Sequence, residues 1–172
     1  SASLGLIAFL GLTGIALDKA FQSSLVNSLE DQMSSYASVF WDEVEFDKNG
    51  LIIGKRIDLP DARLKAYRGG LYAQISGKHN SWQSTKVSNS LFSLPKLNVG
   101  KLGTADQFSG PVNLRISEDL TINAYQYMAT KELQTENGPE VLSLRIYQDE
   151  NEIFKQISEF RRSIWVYLIF AG

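Results

Sequence analysis

Two uncharged apolar stretches stand at the ends of the sequence, and a mixed, half-polar middle lies between them. Residues 1–17 read SASLGLIAFLGLTGIAL and residues 163–172 read SIWVYLIFAG. Neither reaches the roughly 20 apolar residues that a bilayer core requires. Residues 1–17 are therefore expected to be part of a first transmembrane helix and residues 163–172 the start of a second. Residues 18–162 form the domain between them. A signal-peptide core is the other reading of the first stretch, but neither basic residues before it nor a cleavage pattern after it is visible. The second stretch directly follows Glu159-Phe160-Arg161-Arg162, which favours a membrane helix over a buried core helix.

Past Leu17 the helical pattern continues. Phe21, Leu25, Leu29, Met33, Tyr36 and Phe40 recur at spacings of four, four, four, three and four, one face of an amphipathic helix reaching about Asp42. The stripe is longer than a small sheet needs, so part of it is expected to pair with a second copy of the chain. Asp47-Lys48-Asn49-Gly50 predicts a turn, Leu51 to Ile57 a short strand, and Leu59-Pro60-Asp61-Ala62-Arg63 the start of a short helix. Strands are predicted over 71–75, 81–87, 108–116, 120–129 and 141–147, with loop over 88–103. Glu136-Asn137-Gly138-Pro139 makes the last two strands a hairpin. Asp149, with Glu152 three residues on, predicts a closing helix whose Ile153, Ile157, Phe160 and Ile164 share a face. The order is helix, small antiparallel sheet, helix: an α+β chain.

Composition narrows the chemistry. A net charge of −2 over 172 residues argues against nucleic acid, which needs a basic surface. With no cysteine there is no disulfide, thiolate metal site or cysteine nucleophile. His79, in Gly77-Lys78-His79-Asn80, is expected on a surface turn, and without a second histidine a transition-metal site is not expected. Gly69-Gly70 and Gly100-x-x-Gly103 lack the surroundings of a phosphate loop. No catalytic site and no cofactor site is predicted in this segment.

Three groups of residues are candidates for binding. Asp42, Glu43, Glu45 and Asp47 form an acidic cluster; on a strand, Glu43, Glu45 and Asp47 would share a face and offer oxygen ligands to a divalent cation. Tyr72, Trp82, Arg115 and Tyr125 are candidate small-molecule contacts in the sheet, with Arg145 an alternative cation to Arg115. Arg161, Arg162 and Trp165 suit a membrane interface, arginines at phosphate and indole at the headgroup boundary.

Arg68-Gly69-Gly70-Leu71-Tyr72-Ala73, Trp82-x-Ser84, Leu94-Pro95, Phe108, and the exit Asp149-Glu150 followed by Phe160-Arg161-Arg162-x-Ile164-Trp165 resemble the periplasmic sensor regions of PhoQ-like sensor histidine kinases, as does the opening 10–21. The resemblance implies a PAS-like (PDC) antiparallel sheet whose long terminal helices continue into transmembrane segments. It implies a homodimer in the bacterial inner membrane with the sensor domain in the periplasm. An ATP-dependent histidine kinase would lie in a cytoplasmic part beyond residue 172 and act on a cognate response regulator. Enterobacterial members carry a long acidic membrane-facing stretch that reads divalent cations; this chain has only the modest Asp42–Asp47 cluster. The alternatives are a bitopic envelope protein-interaction domain, or the sensor of a chemoreceptor or cyclic-dinucleotide enzyme.

Overall fold

The structure is a computed structural model that describes residues 2–53, 58–66, 68–84, 101 and 103–171. It is α+β. Helix α1 (Ala2–Glu43) is followed by a 3-10 turn (Ala62–Lys65), then by strands β1 (Leu71–Ser76), β2 (Ser81–Gln83), β3 (Gln107–Arg115), β4 (Thr121–Thr135) and β5 (Gly138–Asp149), and by helix α2 (Glu150–Ala171). The five strands form one antiparallel sheet in the order β2-β1-β5-β4-β3. The chain divides into two compact units. One comprises Ser1–Leu29 with Asn151–Gly172; the other is Glu30–Glu150.

In the second unit, the register sorts the sheet residues onto two faces, because directly opposed residues share a face and neighbours along a strand alternate. Ile75 lies opposite Trp82 and Leu144, and Leu144 opposite Ala129. This face carries Leu71, Ala73, Ile75, Leu142, Leu144 and Ile146, all buried. It receives α1: the Phe40 ring lies 5.7 Å from that of Trp82, and Met33, Ala37 and Phe40 are buried. On the other face Tyr72, Leu114, Ile116, Ile122, Ala124 and Tyr147 form an apolar cluster at one end.

Half of the α1 stripe is buried within the single chain. Leu29, Met33 and Phe40 are 5%, 0% and 0% exposed, and the Tyr36 hydroxyl donates to the Asp61 carboxylate. Phe21 and Leu25, earlier in the stripe, are half-buried.

Of the expected 51–57 strand, Leu51, Ile52 and Ile53 are described, with Ile52 bridged to Phe46, and residues 54–57 lie outside the described residues. So do residues 85–87 of the expected 81–87 strand, the loop through Gly100, and Leu94-Pro95. The last hairpin is longer than expected, with pairing continuous from Ala124↔Asp149 to Thr135↔Gly138. Lys131, Glu132 and Gln134, beyond the expected 120–129 strand, are carried as strand by their ladder partners Leu142, Val141 and Pro139.

The Asp61 region anchors the start of the sheet. Asp61 caps the 3-10 turn by accepting from the Arg63 backbone N–H. Gly69 sits so close to this turn that a Cβ there would overlap the Arg63 carbonyl oxygen. Gly69→Ala is expected to lower stability by about 2 kcal/mol through this overlap; thermal melts of the two proteins measure it, and an unchanged midpoint would show that the turn yields freely.

Candidate functional site

The central part of the second sheet face is polar and buried, an unusual combination. β1 contributes Tyr72, Gln74 and Ser76 to it, and β5 contributes Tyr147, Arg145 and Ser143, paired directly across the ladder in that order. β4 continues each row with Gln126, Met128 and Thr130. Tyr72, Gln74, Ser76, Ser143 and Tyr147 are all below 9% exposed, with Gln74 at 3%. A strand that alternates Leu-Tyr-Ala-Gln-Ile-Ser would show one wet face at a surface; here all six positions of β1 are buried.

Buried polar atoms are nearly always hydrogen-bonded, because leaving one unpaired forfeits its solvation. Some groups in this patch satisfy that rule. The Thr130 and Ser143 hydroxyls lie 3.4 Å apart, and an Arg145 Nη1–H donates to the Tyr147 hydroxyl at 3.1 Å. Two atoms break the rule: Gln74 Oε1, an acceptor, and Arg145 Nε, a donor, are buried without a partner. They belong to directly opposed residues. Arg145 makes no ion pair with a carboxylate among the described residues. The patch thus presents a cation and an acceptor side by side at the middle of the sheet.

The expected ligand contacts do not gather there as a set. Tyr72 is in the patch. Trp82 is on the opposite face against Phe40. Arg115 is exposed at the end of β3 and donates from Nε to the Ser117 carbonyl. Tyr125 is half-buried and stacks on Phe108 with ring centroids 5.8 Å apart. Gln74, Ser76 and Ser143 escape a sequence reading because polar residues alternating with apolar ones read as the wet face of a strand. Only their burial distinguishes them.

The acidic cluster is not assembled as a strand face. Glu43 is the last residue of α1, and Asp47 spends its Oδ1 on the backbone N–H groups of Asn49 and Leu51. No group of three or more Asp, Glu or His is placed to hold a metal ion among the described residues. His79 is exposed in the β1–β2 turn.

In the first unit, α1 and α2 meet along their apolar parts. Phe21 stacks on Phe160 with centroids 3.8 Å apart, and a Cβ on Gly14 would be 3.6 Å from a Leu168 methyl. Arg161 makes a two-point ion pair with Asp18, Nε and Nη2 to the two carboxylate oxygens at 2.7 and 2.8 Å. Its guanidinium is therefore engaged within the chain, whereas Arg162 is exposed and Trp165 is 62% exposed. Leu10, Gly11, Gly14, Ile15, Ile164 and Trp165 are among the residues lining a groove of about 610 Å³ in this unit. Asp18 is the first charge after the apolar opening, the signal that could have marked it as a partner. By length and composition α1 is able to cross a membrane, with its apolar window unburied.

Comparison with known protein families, curated proteins and solved structures gives no match.

Proposed function

We propose that this chain is the extracytoplasmic sensor domain of a transmembrane two-component sensor histidine kinase of the bacterial inner membrane, with a PAS-like (PDC) sheet, acting as a homodimer and signalling through both terminal helices to a cytoplasmic ATP-dependent kinase and its response regulator. One observation carries the reading. The first part of α1, through Leu29, and α2 from Asn151 belong to one compact unit, while Glu30–Glu150, sheet included, forms the other. A domain inserted between two membrane helices has this division. The sheet supports the PAS-like part of the reading, with its first and last strands adjacent at the centre.

The test uses the natural full-length protein in bacterial membranes. Alkaline phosphatase inserted at the exposed β4–β5 turn, beside Asn137, is expected to be active, as it is only outside the cytoplasm. The membranes are expected to form acid-labile phosphohistidine from ATP. An inactive phosphatase with a well-expressed fusion, or the absence of phosphohistidine, contradicts the reading.

The Asp18–Arg161 pair supplies a sharper expectation. It links the two helices that must carry the signal, so its loss should shift the balance between two receptor states. Arg161→Asp is expected to change basal phosphorylation by about twofold to tenfold, and adding Asp18→Arg to restore it in part. Moving Trp165 one or two positions along α2 should also shift the output, because an indole sets helix depth at the headgroup boundary. Output that is flat across both series, with normal insertion, removes the helix pair from the mechanism.

A further inference from the structure

Gln74 and Arg145 point to a ligand. Arg145 Nε–H is a buried donor on a cation, and Gln74 Oε1 a buried acceptor on a side chain only 3% exposed; both lack partners and they oppose each other on β1 and β5. An anion alone would satisfy the arginine and repel the amide oxygen. A neutral hydroxyl alone would satisfy the amide and leave the guanidinium uncompensated. One small molecule that carries a carboxylate and, on the adjacent carbon, an O–H or N–H donor answers both. The carboxylate accepts from Arg145 Nε in a charge-assisted hydrogen bond, the stronger kind, and the α-substituent donates to Gln74 Oε1. In the neighbouring rows Ser76, Ser143 and Thr130 lie on one side of the pair, and Tyr72 and Tyr147 on the other.

We propose that this sheet face is a binding site for a small α-hydroxy or α-amino carboxylate, held by Arg145 and Gln74. Treating that ligand as the signal rests on the receptor reading above; the binding itself does not.

Isothermal titration calorimetry on the purified chain in detergent tests it, with L-lactate and L-alanine as probes. Propionate, which lacks the α-donor, and lactamide, which lacks the charge, are the controls. Saturable one-to-one binding of lactate or alanine is expected, with both controls weaker by about tenfold or more. Arg145→Gln should abolish binding, Arg145→Lys should weaken it by about tenfold because it keeps the charge and loses the Nε fork, and Gln74→Met should equalise lactate and propionate. Thermal melts of each variant show that it folds; Gln74→Met, near-isosteric, is the variant least able to disturb the sheet. No heat from either probe up to about 10 mM, or binding indifferent to both Arg145 and Gln74 variants, overturns the proposal and leaves the two atoms to water. Failure of the phosphohistidine assay with lactate or alanine bound would refute the receptor reading alone.

Discussion

Phe40→Ala is expected to remove about 3–5 kcal/mol from the stability of the chain. Phe40 is fully buried and its ring meets Trp82 in a tilted contact, at an interplanar angle of 57°; aromatic pairs avoid the face-to-face sandwich and gain from such contacts beyond their buried area. Truncation loses the transfer energy of the ring and leaves a cavity between α1 and the sheet. Domains of this size are held by only about 5–15 kcal/mol, so the loss is a large share of the whole. Urea titration in detergent should show the midpoint falling at an unchanged slope. Val39→Ala, one residue away and 36% exposed, should move it by no more than about 0.5 kcal/mol. Equal effects at 39 and 40 would mean that α1 does not pack on the sheet through Phe40.

The second large effect is expected at Arg63. Its guanidinium donates to both carboxylate oxygens of Asp61 and, at 3.2 Å, to Gln148 Oε1. Gln148 is 3% exposed, and Tyr36 of α1 donates to the same Asp61 carboxylate. A single charge cluster thus ties α1, the 3-10 turn and the end of β5. Arg63→Met should cost about 3 kcal/mol: the charge-assisted bonds to Asp61, discounted because Arg63 is one-third exposed, and the stranding of a buried amide oxygen.

The pH dependence identifies the cause. The hydrogen bonds from Arg63 hold the Asp61 carboxyl at about 2 against an ordinary 3.8. A carboxyl whose folded pKa is depressed stabilises fully above its unfolded value and loses that contribution as pH falls through the folded one. The gap in stability between the wild-type chain and Arg63→Met should therefore be constant at neutral pH and narrow from about pH 4 down to about pH 2. A carbon-detected NMR titration should place Asp61 higher in the variant. A gap that ignores pH would assign the loss to packing of the arginine stem instead.

The helices and turns were legible because their signals are local. The 21–40 stripe, the Asn49-Gly50 turn, where Gly50 takes φ +75°, and the hairpin ahead of Gly138 each depend on residues within one turn of one another. The binding patch was not legible, for the opposite reason. Tyr72, Gln74 and Ser76 look like a solvent-facing row until β5 and β4 lie beside them, and no pattern within β1 reports that both its faces are covered. Arg115 and Arg145 were equivalent in sequence; their difference is position, one at the end of an edge strand and one at the centre of the sheet. The Asp18–Arg161 pair spans 143 residues, and only the meeting of α1 and α2 reveals it.

The sheet's two borders have a consequence for how this molecule meets others. One border is β2, three residues long. The other is β3, whose register shifts between Ser109 and Val112, with Pro111 in the gap offering no N–H. A polypeptide that tried to dock by extending the sheet would find, at either margin of the described residues, too few free main-chain groups in a row to pair with. Among the described residues, the same bluntness that protects against uncontrolled polymerisation disfavours strand addition as a mode of partner recognition, leaving helix faces and side chains as the surfaces a partner would read.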